Sequence, residues 1–257
     1  QRLRTHWSCN VETVEAVPGG WLARDGAGQT IARAPHVVVA AALGSLRLLT
    51  PHLTEPAALP LRPVQGQMSL GAQDGPALAD RPQRNDGVFV PDYADTGLPP
   101  QWPLRIWAMG STYERGATHT DVRDQAHRRN AVSLRALVPD AADVLERCQQ
   151  QGTLLGWAQV RCASLDRLPL AGTLPDLPAW TTLRAAGRTR PPLAAMPRLA
   201  GLHMLSALGS RGLSLAAWCA QTLACGMDGE VADAPEDLLQ AIDPARFAWR
   251  QSRRPPD

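Results

Sequence analysis

Two short segments carry residue types that could do chemistry. The first, Leu205-Ser206-Ala207-Leu208-Gly209-Ser210-Arg211-Gly212-Leu213-Ser214-Leu215-Ala216, reads as a strand, a glycine turn and a helix. Leu202 to Ala207 is mostly apolar, Gly209 and Gly212 permit a tight turn with close backbone approach, and Leu213 to Met227 is helical in composition. Such a turn leaves the first helical amides unpartnered and points the positive end of the helix dipole outward. Electron-rich groups suit that place: a phosphate, a carboxylate, or the pyrimidine edge of a reduced flavin. The same pattern also serves packing alone, and what shifts the balance is the second segment. Val160-Arg161-Cys162-Ala163-Ser164-Leu165-Asp166-Arg167-Leu168-Pro169-Leu170-Ala171-Gly172 sets an arginine, an aspartate, a proline and a glycine at fixed spacing upstream.

Two further segments precede these: Leu61-Arg62-Pro63-Val64-Gln65-Gly66-Gln67-Met68 and Met109-Gly110-Ser111-Thr112-Tyr113-Glu114-Arg115-Gly116. In this order the four resemble the FAD-dependent amine oxidoreductases related to D-amino acid oxidase and glycine oxidase. There, a P-V-x-G-Q strand crosses between domains and a second strand ends beside the substrate. A V-R-x-x-x-x-D-x-x-P-x-x-G segment then precedes a final strand and a G-x-x-G-x-x-x-A helix. The wording G-S-T-Y-E-R-G, V-R-C-A-S-x-D-R-L-P and A-L-G-S-R-G-L is similar to one branch, the oxidoreductase halves of bacterial bifunctional enzymes that modify the tRNA wobble uridine. The resemblance covers most of residues 10 to 250.

The resemblance implies FAD as cofactor and an α/β chain, D-amino acid oxidase-like. An incomplete Rossmann-like FAD domain would occupy residues 1–60, an α+β substrate domain with a mixed or antiparallel sheet residues 61–200, and a return to the FAD domain residues 201–257. Arg161 would clamp the substrate carboxylate with its planar fork. The amides of Gly209, Ser210, Arg211, Gly212 and Leu213 would stabilise the reduced flavin. Tyr113 would stack on the uridine or donate a hydrogen bond, and Arg115 would meet a phosphate, although a core tyrosine and a solvated arginine fit the same residues. Gln65, Gly66 and Gln67 would line the flavin face, with Gly66 read equally as a bulge in the crossing strand. Asp166 and Arg167 read as a local ion pair shaping the turn before Pro169. The implied substrate is a tRNA whose wobble uridine carries a carboxymethylaminomethyl group.

One constellation is missing. A dinucleotide-binding domain of this kind opens on a strand, G-x-G-x-x-G and a helix, with an acidic residue about 20 positions later. Gly26-Ala27-Gly28 has two of the glycines, but Ile31 stands at the third position, and Trp21-Leu22-Ala23-Arg24-Asp25-Gly26 reads as a hairpin with an Asp-Gly turn. The chain is therefore expected to be the C-terminal portion of a longer protein, with the pyrophosphate-binding segment and a methyltransferase domain upstream. Weak or no FAD binding by the chain alone is expected.

The elements that must position these residues can be read along the chain. Val11 to Val17, Gly20 to Arg24 and Gln29 to Ala32 form a strand meander. Val37 to Ala41 suits a strand covered on both faces, and Ala42 to Leu49 a short helix stopped by Pro51. Gly71 to Arg84 reads as loop, Gly87 to Tyr93 and Leu104 to Thr112 as strands joined by Thr96 to Trp102. Asp121 to Leu137 is the clearest helix, capped by Asp121 and ended by Val138-Pro139, with Ala141 to Gln151 a second. Leu154 to Cys162 returns as a strand, Leu174 to Pro197 is an excursion rich in Pro, Ala and Arg, and Pro235 to Ala241 adds a short helix.

Composition narrows the class. The 257 residues can bury a large core, and a net charge of +2 is too small to announce nucleic-acid binding. All 26 basic residues are Arg. Arg123, Arg128 and Arg129 cluster on one helix, and Arg250, Arg253 and Arg254 make a basic tail, both of which suit phosphates or a solvated face equally. The five Cys form no C-x-x-C pair and the six His lack metal-ligand spacing, so reduced cytoplasmic thiols and no metal site are expected. No apolar run approaches the roughly 20 residues of a membrane span. Two other functions fit less well: a flavin oxidase of free glycine, sarcosine or a D-amino acid, and a non-catalytic module that has lost its cofactor site.

Overall fold

Alternating apolar and polar residues, interrupted by glycine turns, set the first elements of the chain. The computed structural model describes residues 3–54, 59–95, 97–186 and 191–252. It divides into two units: unit 1 holds residues 1–62 and 162–257, unit 2 residues 63–161. Thr96, Arg253 and Arg254, named above, lie outside the described residues.

Unit 1 opens with β1 (Thr13–Val17), β2 (Gly20–Arg24) and β3 (Thr30–Ala34), an antiparallel meander in that order. Asp25 builds the β2–β3 turn: its Oδ1 accepts from the amides of Ala27 (2.9 Å) and Gln29 (2.8 Å), and its carbonyl from Gly28. β4 follows at Val37–Val39, shorter than expected and buried on one side only, since Val39 is buried and Val38 is exposed. α1 (Gly44–Leu49) runs into a 3-10 turn at Thr50–His52 that contains Pro51.

Unit 2 is built on β5 (Leu61–Ala72), β6 (Gln83–Arg84), β7 (Val88–Ala94), β8 (Arg105–Gly110), β9 (Glu114–Arg115) and β10 (Leu155–Ser164). The sheet order is β10-β5-β8-β7-β6, with β9 pairing β5. α2 (Asp124–Arg135) and α3 (Pro139–Gln151) pack on one face against Phe89, Trp107 and Met109. Pro139 opens α3 in place of merely closing α2, as its fixed φ and missing amide allow at a first helical position. Asp121 does not cap α2. The N-cap is Arg123, and its backbone is held from across the sheet: Gln67 Oε1 accepts its amide (2.7 Å) and Gln67 Nε2 donates to its carbonyl (3.0 Å).

The chain re-enters unit 1 at Cys162, well before the expected boundary at residues 200 and 201. The reason is β11 (Leu170–Pro175), which pairs antiparallel with β12 (Arg198–Ser206); β12 pairs in parallel with β4. The stretch read as an excursion thus supplies the end of β11 and all of α4 (Leu177–Ala186) to the core of unit 1, through Leu174, Leu177 and Trp180. α5 (Gly212–Asp228) is the expected final long helix, followed by α6 (Glu236–Ile242) and α7 (Arg246–Ser252).

Candidate active site

Strand alternation settles which side chains of unit 2 share a face. On β10, residues 155, 157, 159 and 161 fall on one face; on β5, residues 66, 68 and 70 join them. Leu155, Met68 and Leu70 lie in one apolar cluster, and Gly66 abuts Arg161. Residues 65, 67 and 69 point the other way, where Ser69 Oγ lies 2.7 Å from His127 Nδ1 and Asn130 donates to Ser69 Oγ and Gln67 O.

Arg161 is the most unusual charge in the unit. Its Nη2 donates to Ser111 Oγ, while Nη1 is buried without a hydrogen-bond partner. Burial lowers its pKa, against the opposing influence of nearby Tyr113. A buried guanidinium nitrogen with no acceptor is costly, so the site favours an anionic group of the right size. A carboxylate taking both nitrogens would meet that demand. Gly66 makes room: a Cβ there would stand 2.8 Å from Arg161 Nη2 and from the Thr112 carbonyl oxygen.

The other expected residues divide. Tyr113 is half exposed at the Arg161 centre, with the Arg115 guanidinium 5.9 Å from its ring. Gln67 is spent on the Arg123 backbone and offers nothing to a cofactor, a departure from the expectation above. Gln65 is buried with its Oε1 unpartnered, on the face opposite Arg161. Arg129 pairs with Glu114, whose pKa that hydrogen bond lowers. Sequence reading missed Ser111 as the Arg161 partner, although it lay inside a quoted motif.

Unit 1 carries the second set. The parallel strands β4 and β12 end side by side, each followed by an alanine in the left-handed region: Ala42 at φ +49° and Ala207 at φ +59°. Ser206 Oγ donates to Ala42 O (3.2 Å). Ligands of open α/β sheets bind beyond such carboxyl ends, and left-handed alanines mark backbone held against its preference. The Gly209 amide donates to Cys162 O (2.9 Å) and the Arg211 amide to Leu208 O (3.0 Å). Of the five expected amides, those of Ser210, Gly212 and Leu213 keep no acceptor among the described residues. No side chain caps α5, its first turn holds no acid, and Leu213 is fully exposed.

Asp166 is structural, and its partner is not Arg167. It takes two hydrogen bonds from Arg246 (2.9 and 2.7 Å) and one from Arg250 (2.9 Å). Arg167 sits at φ +62°, its carbonyl accepting from Arg211. Burial would raise the Asp166 pKa, but Arg246, the Leu168 amide and the Ser164 hydroxyl hold it far below the usual carboxylate range.

A profile of the FAD dependent oxidoreductase family matches residues 3–225. The chain belongs to the FAD dependent oxidoreductase family. It is 35% identical over 258 residues to the tRNA 5-methylaminomethyl-2-thiouridine biosynthesis bifunctional protein MnmC of Ralstonia nicotianae, covering 98% of this chain and 37% of that protein. The protein of the same name from Paracidovorax citrulli is 37% identical, covering 90% of this chain and 33% of its own length. The chain thus spans about a third of the length of these relatives. Among solved structures, glycine oxidase from Geobacillus kaustophilus matches with TM-score 0.59 at 18% identity, covering 88% of this chain and 50% of that one. Iminodiacetate oxidase from Chelativorans sp. BNC1 matches with TM-score 0.61 at 18% identity, covering 88% and 51%. These likenesses bear out the α/β fold and the D-amino acid oxidase-like class.

The family's cofactor is FAD, and the residues present fit one end of it. The α5 start has three unpartnered amides and the positive end of a helix dipole, which would suit the negative charge of a reduced flavin ring. The Gly26–Gly28 turn is no phosphate cradle, because Asp25 already takes the amides of Ala27, Gly28 and Gln29. Among the described residues there is no cluster of three or more His, Cys, Asp or Glu able to hold a metal, and no helix long and apolar enough to cross a membrane.

Proposed function

We propose that this chain supplies the substrate-binding sheet and the flavin-facing helix start of an enzyme that oxidatively removes the carboxymethyl group from a carboxymethylaminomethyl uridine at the tRNA wobble position. Unit 2 is then the substrate domain and unit 1 part of the FAD domain, with the dinucleotide-binding and methyltransferase portions elsewhere in the parent protein. The observation that carries the reading is the buried, half-satisfied Arg161.

The substituent is an N-substituted glycine, a secondary amine with a carboxylate two bonds away. Arg161 holds the carboxylate through Nη1 and Nη2, completing the hydrogen bonding of a buried cation. Fixing that end positions the adjacent C–H and leaves the amine to lose its proton to solvent. FAD, when bound, supplies the two-electron acceptor. Loss of two electrons and two protons turns the glycine C–N bond into an imine; water then adds across it, releasing glyoxylate and leaving an aminomethyl uridine. The Ser210, Gly212 and Leu213 amides stabilise the negative charge that reduction brings.

The test is incubation of the flavin-loaded parent protein with tRNA carrying the substituent, reading glyoxylate. Glyoxylate in proportion to tRNA supports the reading, and Arg161→Lys, which lacks the fork, should lower kcat/KM by about tenfold or more. Turnover of free N-methylglycine with peroxide release, and none with tRNA, would replace it by an amino acid oxidase.

A further inference from the structure

Beside Arg161, on the same face of the unit 2 sheet, lies an apolar pocket of about 520 Å³ that the mechanism above does not use. Met68, Leu70 and Ile106 form its floor, with Tyr93, Trp102 and Trp157 around it. Trp157 is 48% exposed and Tyr93 44%, so both line the pocket while remaining accessible to solvent. The Tyr93 hydroxyl donates to Asp95 Oδ2 (2.6 Å), and the Trp102 amide to Pro99 O (2.8 Å), which fixes the two aromatic positions from the loop side. Among the described residues, no charged side chain lines the pocket.

We infer that this pocket seats the uracil ring of the substrate, between Trp157, Trp102 and Tyr93, while its C5 substituent runs back along the sheet to Arg161. The inference rests on the function proposed above and adds where the base goes. Three observations carry it. The Arg161 guanidinium stands over Gly66, and Met68, at the pocket's floor, is two residues further on the same face of β5, roughly 6.7 Å away at the rise of a strand. The CH2–NH–CH2 linker between carboxylate and ring spans about 5 Å by ordinary bond lengths, so one end held at Arg161 delivers the ring to the Met68 end of the pocket. Charge is divided to match: the anion meets the buried guanidinium, and the neutral ring meets a neutral apolar pocket. Unstacked bases are bound in this manner, on aromatic side chains with their polar edges left accessible.

The experiment measures dissociation constants by equilibrium dialysis, using the flavin-loaded parent protein reduced under argon so that nothing turns over. Two probes are compared, the 5-carboxymethylaminomethyluridine nucleoside and the base-free N-methylglycine. Trp157→Ala and Tyr93→Ala should each weaken the nucleoside about 5- to 150-fold, as loss of a stacked base does, and leave N-methylglycine unchanged. Trp157→Phe should restore most of the nucleoside affinity, separating stacking from folding. Arg161→Met should weaken both probes. If Arg161→Met weakens the nucleoside while Trp157→Ala and Tyr93→Ala do not, the base lies elsewhere; the pocket assignment is overturned and the carboxylate clamp survives. Loss with Trp157→Ala but not with Arg161→Met supports the base seat and removes the clamp. A nucleoside that fails to bind the unsubstituted protein overturns both.

Discussion

The Arg161 guanidinium occupies the space over Gly66, its Nη2 2.8 Å from where a Cβ at that position would stand. The carbonyl of Thr112 lies at the same distance, and a backbone atom cannot swing aside as a side chain can. Gly66→Ala should therefore push the guanidinium off its seat at a cost of about 1–3 kcal/mol in stability. We expect a lower Tm and a kcat/KM loss like that of an Arg161 variant. Unchanged Tm and activity in the alanine variant would show that Gly66 does not set the arginine's position.

Asp166 ties the turn before β11 to helix α7, both in unit 1. Arg246 is 1% exposed in its side chain, so its charge depends on that carboxylate. Asp166→Asn should cost about 3–5 kcal/mol, because it leaves a buried guanidinium without its counter-charge. The double variant Asp166→Asn with Arg246→Met should recover most of the loss. The folded pKa of Asp166 is depressed, so its contribution is complete above the unfolded value of about 3.9 and fades as pH falls through the folded value. Denaturant unfolding of the three proteins at pH 7 and at about pH 2.5, below the unfolded value, checks both parts.

His203, buried on β12, lies 3.0 Å from Thr173 Oγ1 through Nδ1 and 3.0 Å from His36 Nδ1 through Nε2. Burial lowers its pKa, and the neighbouring imidazole of His36 adds to the effect. A histidine depressed in the folded state binds fewer protons there than in the unfolded chain. Its stabilisation is present above the unfolded pKa of about 6.5 and is lost as pH falls below it. The Tm should hold steady above pH 7 and decline from pH 6.5 downward. His203→Gln should flatten that decline in part, since His127, also lowered by burial, acts in the same direction. An identical slope in the variant would assign the acid sensitivity elsewhere.

Much of this was legible from residue patterns, and the gaps have physical reasons. The meander, the crossing strand and α5 follow from period-two and helical spacing with glycine turns at their ends. Local rules went astray where a distant partner competed. Asp121 is a good capping residue, yet Gln67 reaches from the sheet and holds the Arg123 backbone. Arg167 adjoins Asp166, yet Arg246 wins it from 80 residues away because both can be buried together. β11 escaped notice because Pro169, Pro175 and Gly172 obscure its alternation, and only pairing with β12 reveals it. At the candidate site the motif wording found Arg161. The four-residue spacing from Trp157 to Arg161 places both on one face of one strand, a relation carried by the sequence itself.

The start of α5 gives a test in which stability and redox behaviour move apart. Leu213 is fully exposed in the first turn of a helix that has no acidic residue there and no side-chain cap. An exposed leucine gains nothing from packing at that place, so Leu213→Asp should stabilise the helix through its dipole by about 0.3–1 kcal/mol. The same carboxylate would compete for the Gly212 and Leu213 amides and set a negative charge where a reduced flavin needs positive potential. We expect the variant to show a raised Tm together with a lower flavin midpoint potential and slower reduction by substrate. A purely structural turn would give the rise in Tm with the potential unmoved, and that result would detach the α5 start from the cofactor.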